Sequence, residues 1–96
     1  MTYEDLQGAL LVLGLRDLST IKEIKARHRE LVKRYHPDTG SVDDPEKIRN
    51  VNAAYRILLN YVTEYRFSFA EEEFYRQNPE EQLLRQFDDV PMWGKK

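Results

Sequence analysis

The 96-residue chain contains no cysteine, so disulfide frameworks, thiolate metal sites and cysteine nucleophiles are excluded, and nothing points to an oxidising compartment. Its two histidines, His28 and His36, are too few to assemble a metal site unaided. Long apolar runs are also missing. The N-terminal stretch MTYEDLQGALLVLGL falls short of a membrane span, and Glu4 and Asp5 stand where a secretory signal would carry positive charge. A cytoplasmic location is the expectation. With 15 Lys+Arg against 17 Asp+Glu, the formal net charge is only -2, unlike a protein built to coat nucleic acid. No repeat, low-complexity tract or Gly/Ser linker interrupts the chain. What remains, 41% hydrophobic and 33% charged, suits one small charge-rich domain whose core holds two or three helices.

The apolar residues recur at helical spacing and nothing alternates as a strand would, which predicts an all-α fold. Thr2 with Asp5 opens a first helix through Leu6, Leu10 and Leu13, and Gly14 is placed to end it. Thr20 with Glu23 forms a capping box ahead of a second helix whose apolar face is Ile21, Ile24, His28, Leu31 and Tyr35. Pro37 disfavours helix at His36, so this helix ends near Tyr35 and leaves His36, Pro37 and Asp38 in a loop. Asp44 before Pro45 starts a third helix with Ile48, Val51, Tyr55, Leu58 and Val62 on its apolar face and small Ala54 beside them. Each stripe is too narrow to be hidden except against another, so the second and third helices should form an antiparallel hairpin that displays the loop at one end.

Residues 22 to 34 contain six bases and two acids. On a helical projection Glu23, Arg27, Glu30 and Arg34 share one side, in the order that favours Glu23–Arg27 and Glu30–Arg34 pairs. Lys22, Lys25, Arg29 and Lys33 share another, with no acid within a turn on that strip. Four like charges in a row repel one another, and an external acidic partner would account for them. The same strip could contact nucleic-acid phosphates in a small helical binding or scaffold protein, but it lacks the asparagine or glutamine of a base reader. Nucleic acid is therefore the lesser reading.

His36 and Asp38 resemble a base and its orienting carboxylate, yet no serine or cysteine nucleophile has a marked context and the short chain offers little to exclude water. An enzyme is not expected. His28 lies about two turns back on the core-facing stripe, so a shared metal site is not expected either. No cofactor is implied.

With these features in register, residues 9 to 58 resemble a J domain, the module of the DnaJ family of co-chaperones. The resemblance rests on LGL at 13 to 15, EIKARHRELVKRYHPD at 23 to 38 and KIRNVNAAYRILL at 47 to 59. It implies a protein that docks on a DnaK-type 70-kDa heat-shock chaperone and stimulates its ATP hydrolysis. Lys22, Lys25, Arg29 and Lys33 would meet an acidic surface on the nucleotide-binding domain, while His36, Pro37 and Asp38 would engage the interdomain junction. The family usually has tyrosine where His28 stands and alanine where Arg27 stands, so His28 is a candidate edge contact. The usual fourth helix with its lysine–arginine signature, a Gly/Phe-rich linker and a cysteine-rich zinc module are not recognisable, which resembles the type defined by the J domain alone.

The J domain is assigned to residues 1 to 66, followed by a C-terminal helical extension over 67 to 96. Residues 67 to 94 carry seven acids against Arg76 and Arg85, net -5. Ser68 with Glu71, and Asn78 with Pro79 and Glu81, mark helix starts there. The extension is open to three readings: its aromatics complete the core, it binds a client or adaptor, or its acids lie over the basic strip.

Overall fold

A computed structural model of the chain describes residues 1–36 and 44–88. Five helices are formed and no strand among the described residues: α1 Tyr3–Leu13, α2 Ile21–Tyr35, α3 Pro45–Thr63, α4 Glu71–Gln77 and α5 Pro79–Asp88. The all-α prediction holds. The chain divides into two compact units, Met1–Tyr65 and Arg66–Lys96. Among the described residues no helix is long and apolar enough to cross a membrane.

The first unit is built from three well-signalled helices. Reciprocal capping boxes open α1 (Thr2 with Asp5) and α2 (Thr20 with Glu23), each satisfying two backbone N–H groups that the helix leaves unbonded. Asp44 caps α3 by accepting from the Lys47 amide, with Pro45 at the first helical position where its missing N–H costs nothing. Gly14 ends α1 at φ 68, ψ 37. Its amide bonds Leu11 O at 3.1 Å and the Leu15 amide bonds Leu10 O at 2.9 Å, the paired closure of a Schellman motif.

The core is small and wholly apolar: Ala9, Leu13, Ile24, Leu31, Val51, Ala54 and Leu58, with Leu6, Leu10, Leu15, Val32, Tyr35, Tyr55 and Val62 packed around them. Leu13 and Val51 have no exposed surface. Both α1 and α2 pack extensively on α3 and only sparingly on each other, so α3 is the wall that orients both. Ile21, expected on the buried face, remains 48% exposed; burial of α2 begins at Ile24.

In the second unit α5 starts at Pro79 as the Asn78–Pro79 pair predicts. The Asn78 side-chain amide instead donates back to Phe74 O at 3.0 Å, closing the C-terminal end of α4. The expected Ser68 cap is not formed. Ala70 holds the N-cap position with no side-chain bond, and Ser68, two positions before it, accepts through Oγ from the Ala70 amide at 3.3 Å rather than from an amide of the first helical turn.

Leu13→Ala should cost about 2–5 kcal/mol by opening a cavity where three helices meet, a large share of a small domain's total stability. Gly14→Ala should cost about 1–2 kcal/mol, because an L residue is strained at this backbone conformation. Urea unfolding followed by circular dichroism measures both; equal stability of either variant and the parent would contradict this description of the α1 terminus.

Candidate functional site

The rotation of α2 is fixed by Ile24 and Leu31, buried against α3. Taking Ile24 as the inward direction, Lys22, Lys25, Arg29 and Lys33 fall about 100–180° around the helix, and all four are exposed. None of the described ion pairs involves them. A shallow surface depression bordered by Ala26, Arg29, Glu30, Lys33 and Arg34 runs along the strip's edge. The strip therefore stands in solvent as four neighbouring cations, in the arrangement that the spacing predicts.

At the end of α2, His36 is the C-cap, with φ -68 and ψ 133, half-buried and already in extended conformation. This is the backbone that a following proline favours. Pro37 and Asp38 lie outside the described residues. The two helix ends flanking the loop are tied together: the Lys47 ammonium lies 5.7 Å from the centroid of the Tyr35 ring, a cation–π contact between the last residue of α2 and the first turn of α3.

His28 sits half-buried at the rim of the α2–α3 seam. Its ring stacks on Tyr55 with centroids 3.8 Å apart and planes 3° from parallel, and Nε2 is 2.8 Å from Asn52 Oδ1. Since the amide oxygen accepts, Nε2 carries the proton in this contact. His28 thus braces the helix hairpin from the side adjoining Lys25 and Arg29.

The expected Glu23–Arg27 pair is not formed. Glu23 is engaged in the capping box, accepting from the Thr20 amide at 2.6 Å. Arg27 reaches across to the first helix, donating Nε–H to Leu13 O at 2.8 Å and Nη1–H to Glu30 at 2.8 Å. Both outcomes follow from unbonded groups at helix ends: a carboxylate satisfies N-terminal amides, and a guanidinium satisfies a C-terminal carbonyl. Glu30 is paired backward with Arg27 rather than forward with Arg34 as expected.

The Arg27–Leu13 bond was not readable from residue spacing, because its acceptor is a backbone carbonyl 14 residues away. The His28–Tyr55 stack was partly readable, since both residues belong to the facing stripes. Asn52 gave no signal of its own.

A DnaJ domain family model matches residues 11–65, from the second half of α1 to just past α3. The chain belongs to the DnaJ domain family. Among its relatives are the chaperone protein DnaJ of Orientia tsutsugamushi (strain Boryong), 45% identical over 49 residues, and that of Carboxydothermus hydrogenoformans, 42% identical over 50 residues. The chaperone protein DnaJ of Rickettsia prowazekii is 42% identical over 48 residues. Each alignment covers 49% of this chain and 13% of the relative. No solved structure gave a significant match. The matched residues include all of α2 and α3 and leave α4 and α5 outside.

Arg27→Met should keep the aliphatic packing but strand the Leu13 carbonyl, lowering stability by about 1 kcal/mol after allowance for partial exposure. Glu30→Gln should cost less. Thermal unfolding of both variants measures the difference; an Arg27→Met protein as stable as the parent would show that Arg27 is an ordinary surface cation.

Proposed function

We propose that this J domain docks on a DnaK-type 70-kDa heat-shock chaperone through α2 and the His36–Pro37–Asp38 loop, and stimulates its ATP hydrolysis. The observation that carries the reading is the exposed strip of Lys22, Lys25, Arg29 and Lys33, which takes part in none of the described ion pairs. Membership of the DnaJ domain family, and relatives named as DnaJ chaperones, support it.

The physical division of labour follows from position. Four neighbouring cations on a rigid helix set a local positive potential that speeds encounter with an acidic surface and fixes the register of docking. His36, which precedes Pro37 and Asp38 in the chain, is the C-cap of that same helix, and Tyr35 beside it is tied to Lys47. Stimulation then requires tighter binding to the hydrolysis-competent chaperone than to its resting state. His36 and Asp38 act in this scheme by binding, with no proton transferred to nucleotide.

Single-turnover ATP hydrolysis by a DnaK-type chaperone, with and without this protein, tests the proposal. The parent should accelerate hydrolysis, and Asp38→Asn and His36→Gln should abolish the acceleration while leaving helicity unchanged. Acceleration retained by either variant would reject the role given to the loop. Lys25→Glu or Arg29→Glu should weaken docking about tenfold at low salt and flatten its salt dependence; unaltered docking would remove the strip from the interface.

A further inference from the structure

The seam between α2 and α3 is basic on both of its edges. His28 meets Asn52 and Tyr55 while Tyr35 meets Lys47, so the two helices run antiparallel, with Lys25 level with Arg56 and Arg29 level with Asn52. Taking Val51 as the inward direction of α3, Tyr55 lies about 40° around that helix, Asn52 about 100°, Arg56 about 140° and Arg49 about 160°, all in the same sense. Arg49, Asn52 and Arg56 are exposed, and neither arginine enters any of the described ion pairs.

The acids of these helices are turned elsewhere. Glu23 and Glu30 lie about 140° and 160° around α2 from His28, and Glu46 lies about 120° around α3 from Asn52. Outside the His28–Asn52 hydrogen bond of 2.8 Å, the solvent side of the hairpin therefore carries cations from both helices: Lys22, Lys25, Arg29 and Lys33 from α2, Arg49 and Arg56 from α3. Like charges gathered on two packed helices repel. The stack of His28 on Tyr55 holds the edges together against that repulsion, and an acidic surface spanning the hairpin would relieve it on both.

We propose that Arg56 is a docking residue for the DnaK-type chaperone, the off-axis anchor of a surface two helices wide. This rests on the chaperone reading and adds a contact outside α2 and its loop. A row of cations on one helix meets a partner along a line, and a line leaves the domain free to roll about the axis of α2. Packed helix axes stand about 8–10 Å apart, so one contact on α3 removes that freedom. Arg56 is suited to it by position. It lies about 16 Å along the helix from Pro45, the first residue of α3, whereas Arg49 lies about 6 Å from it, near the end where the loop itself makes contact. The loop, the α2 strip and Arg56 form a triangle, which fixes the orientation in which the loop is delivered. The matching feature on the partner is a carboxylate cluster wide enough to meet Lys25 and Arg56 together.

Docking is measured by titrating a DnaK-type chaperone into the full chain, labelled with a fluorophore at its C-terminus, at about 50 and 300 mM salt. Arg56→Glu should weaken docking about fivefold at the lower salt, Arg56→Gln by a smaller factor, and both deficits should shrink at the higher salt. Arg16→Glu makes the same change of charge on the far side of α2, where Arg16 borders a depression with Glu23 and Glu30; it should dock as the parent does. Parental affinity in Arg56→Glu while Lys25→Glu is weakened would overturn the α3 anchor and leave the chaperone reading standing. An equal loss in Arg16→Glu would assign the effect to net charge and overturn the anchor as well. A parent that does not dock at all removes the chaperone reading and this inference with it. If Arg56→Glu loses helicity, Arg56→Gln decides alone, and unchanged affinity in it rejects the contact.

Discussion

The structure of the J domain depends on one buried surface, the face of α3 made by Val51, Ala54 and Leu58. Both α1 and α2 pack on that helix and scarcely on one another, so neither can bury its apolar stripe without it. Ala54 matters by being small, because it lets two helices approach the same segment of a third. The arrangement also sets the direction in which the basic strip faces. Turning α2 by one residue would move Ile24 and Leu31 off this wall by about 100° and carry the basic strip with them.

Around its circumference α2 divides its work among four sides. Ile24 and Leu31 enter the core; His28 closes the seam with α3; Glu23, Arg27 and Glu30 serve helix ends and one another; Lys22, Lys25, Arg29 and Lys33 are left to solvent. Arg27 is the instructive member. By sequence it is one more cation in a basic helix, but its guanidinium is committed to the Leu13 carbonyl and Glu30. An alanine at this position could not make that bond. The junction of α1 and α2 is thereby held by a polar clasp beside the Gly14 turn.

Legibility of the fold in the sequence followed the range of the interactions. Thr2 with Asp5, Thr20 with Glu23, Gly14 and the Asp44–Pro45 pair act within four residues of themselves, and each helix boundary that they mark was readable. The basic strip was readable for the same reason, since helical period alone places it. Interactions that compete for one group were not. Glu23 could serve Arg27 or the Thr20 amide, and only the folded geometry shows that the cap wins at 2.6 Å. Ser68 was misjudged because a serine two residues ahead of the N-cap can turn the backbone without capping the helix, as its bond to the Ala70 amide does.

The His28–Tyr55 stack also gives the molecule an internal gauge. With ring centroids 3.8 Å apart and nearly parallel planes, the imidazole protons of His28 lie in the shielding cone of a phenol carried by the other helix. Ring-current effects fall steeply with separation, so a small parting of α2 from α3 changes the resonance of one of only two histidines in the chain. A spectral window with two peaks thus contains a ruler for the hairpin, supplied by one of the chain's own residues and without any attached label.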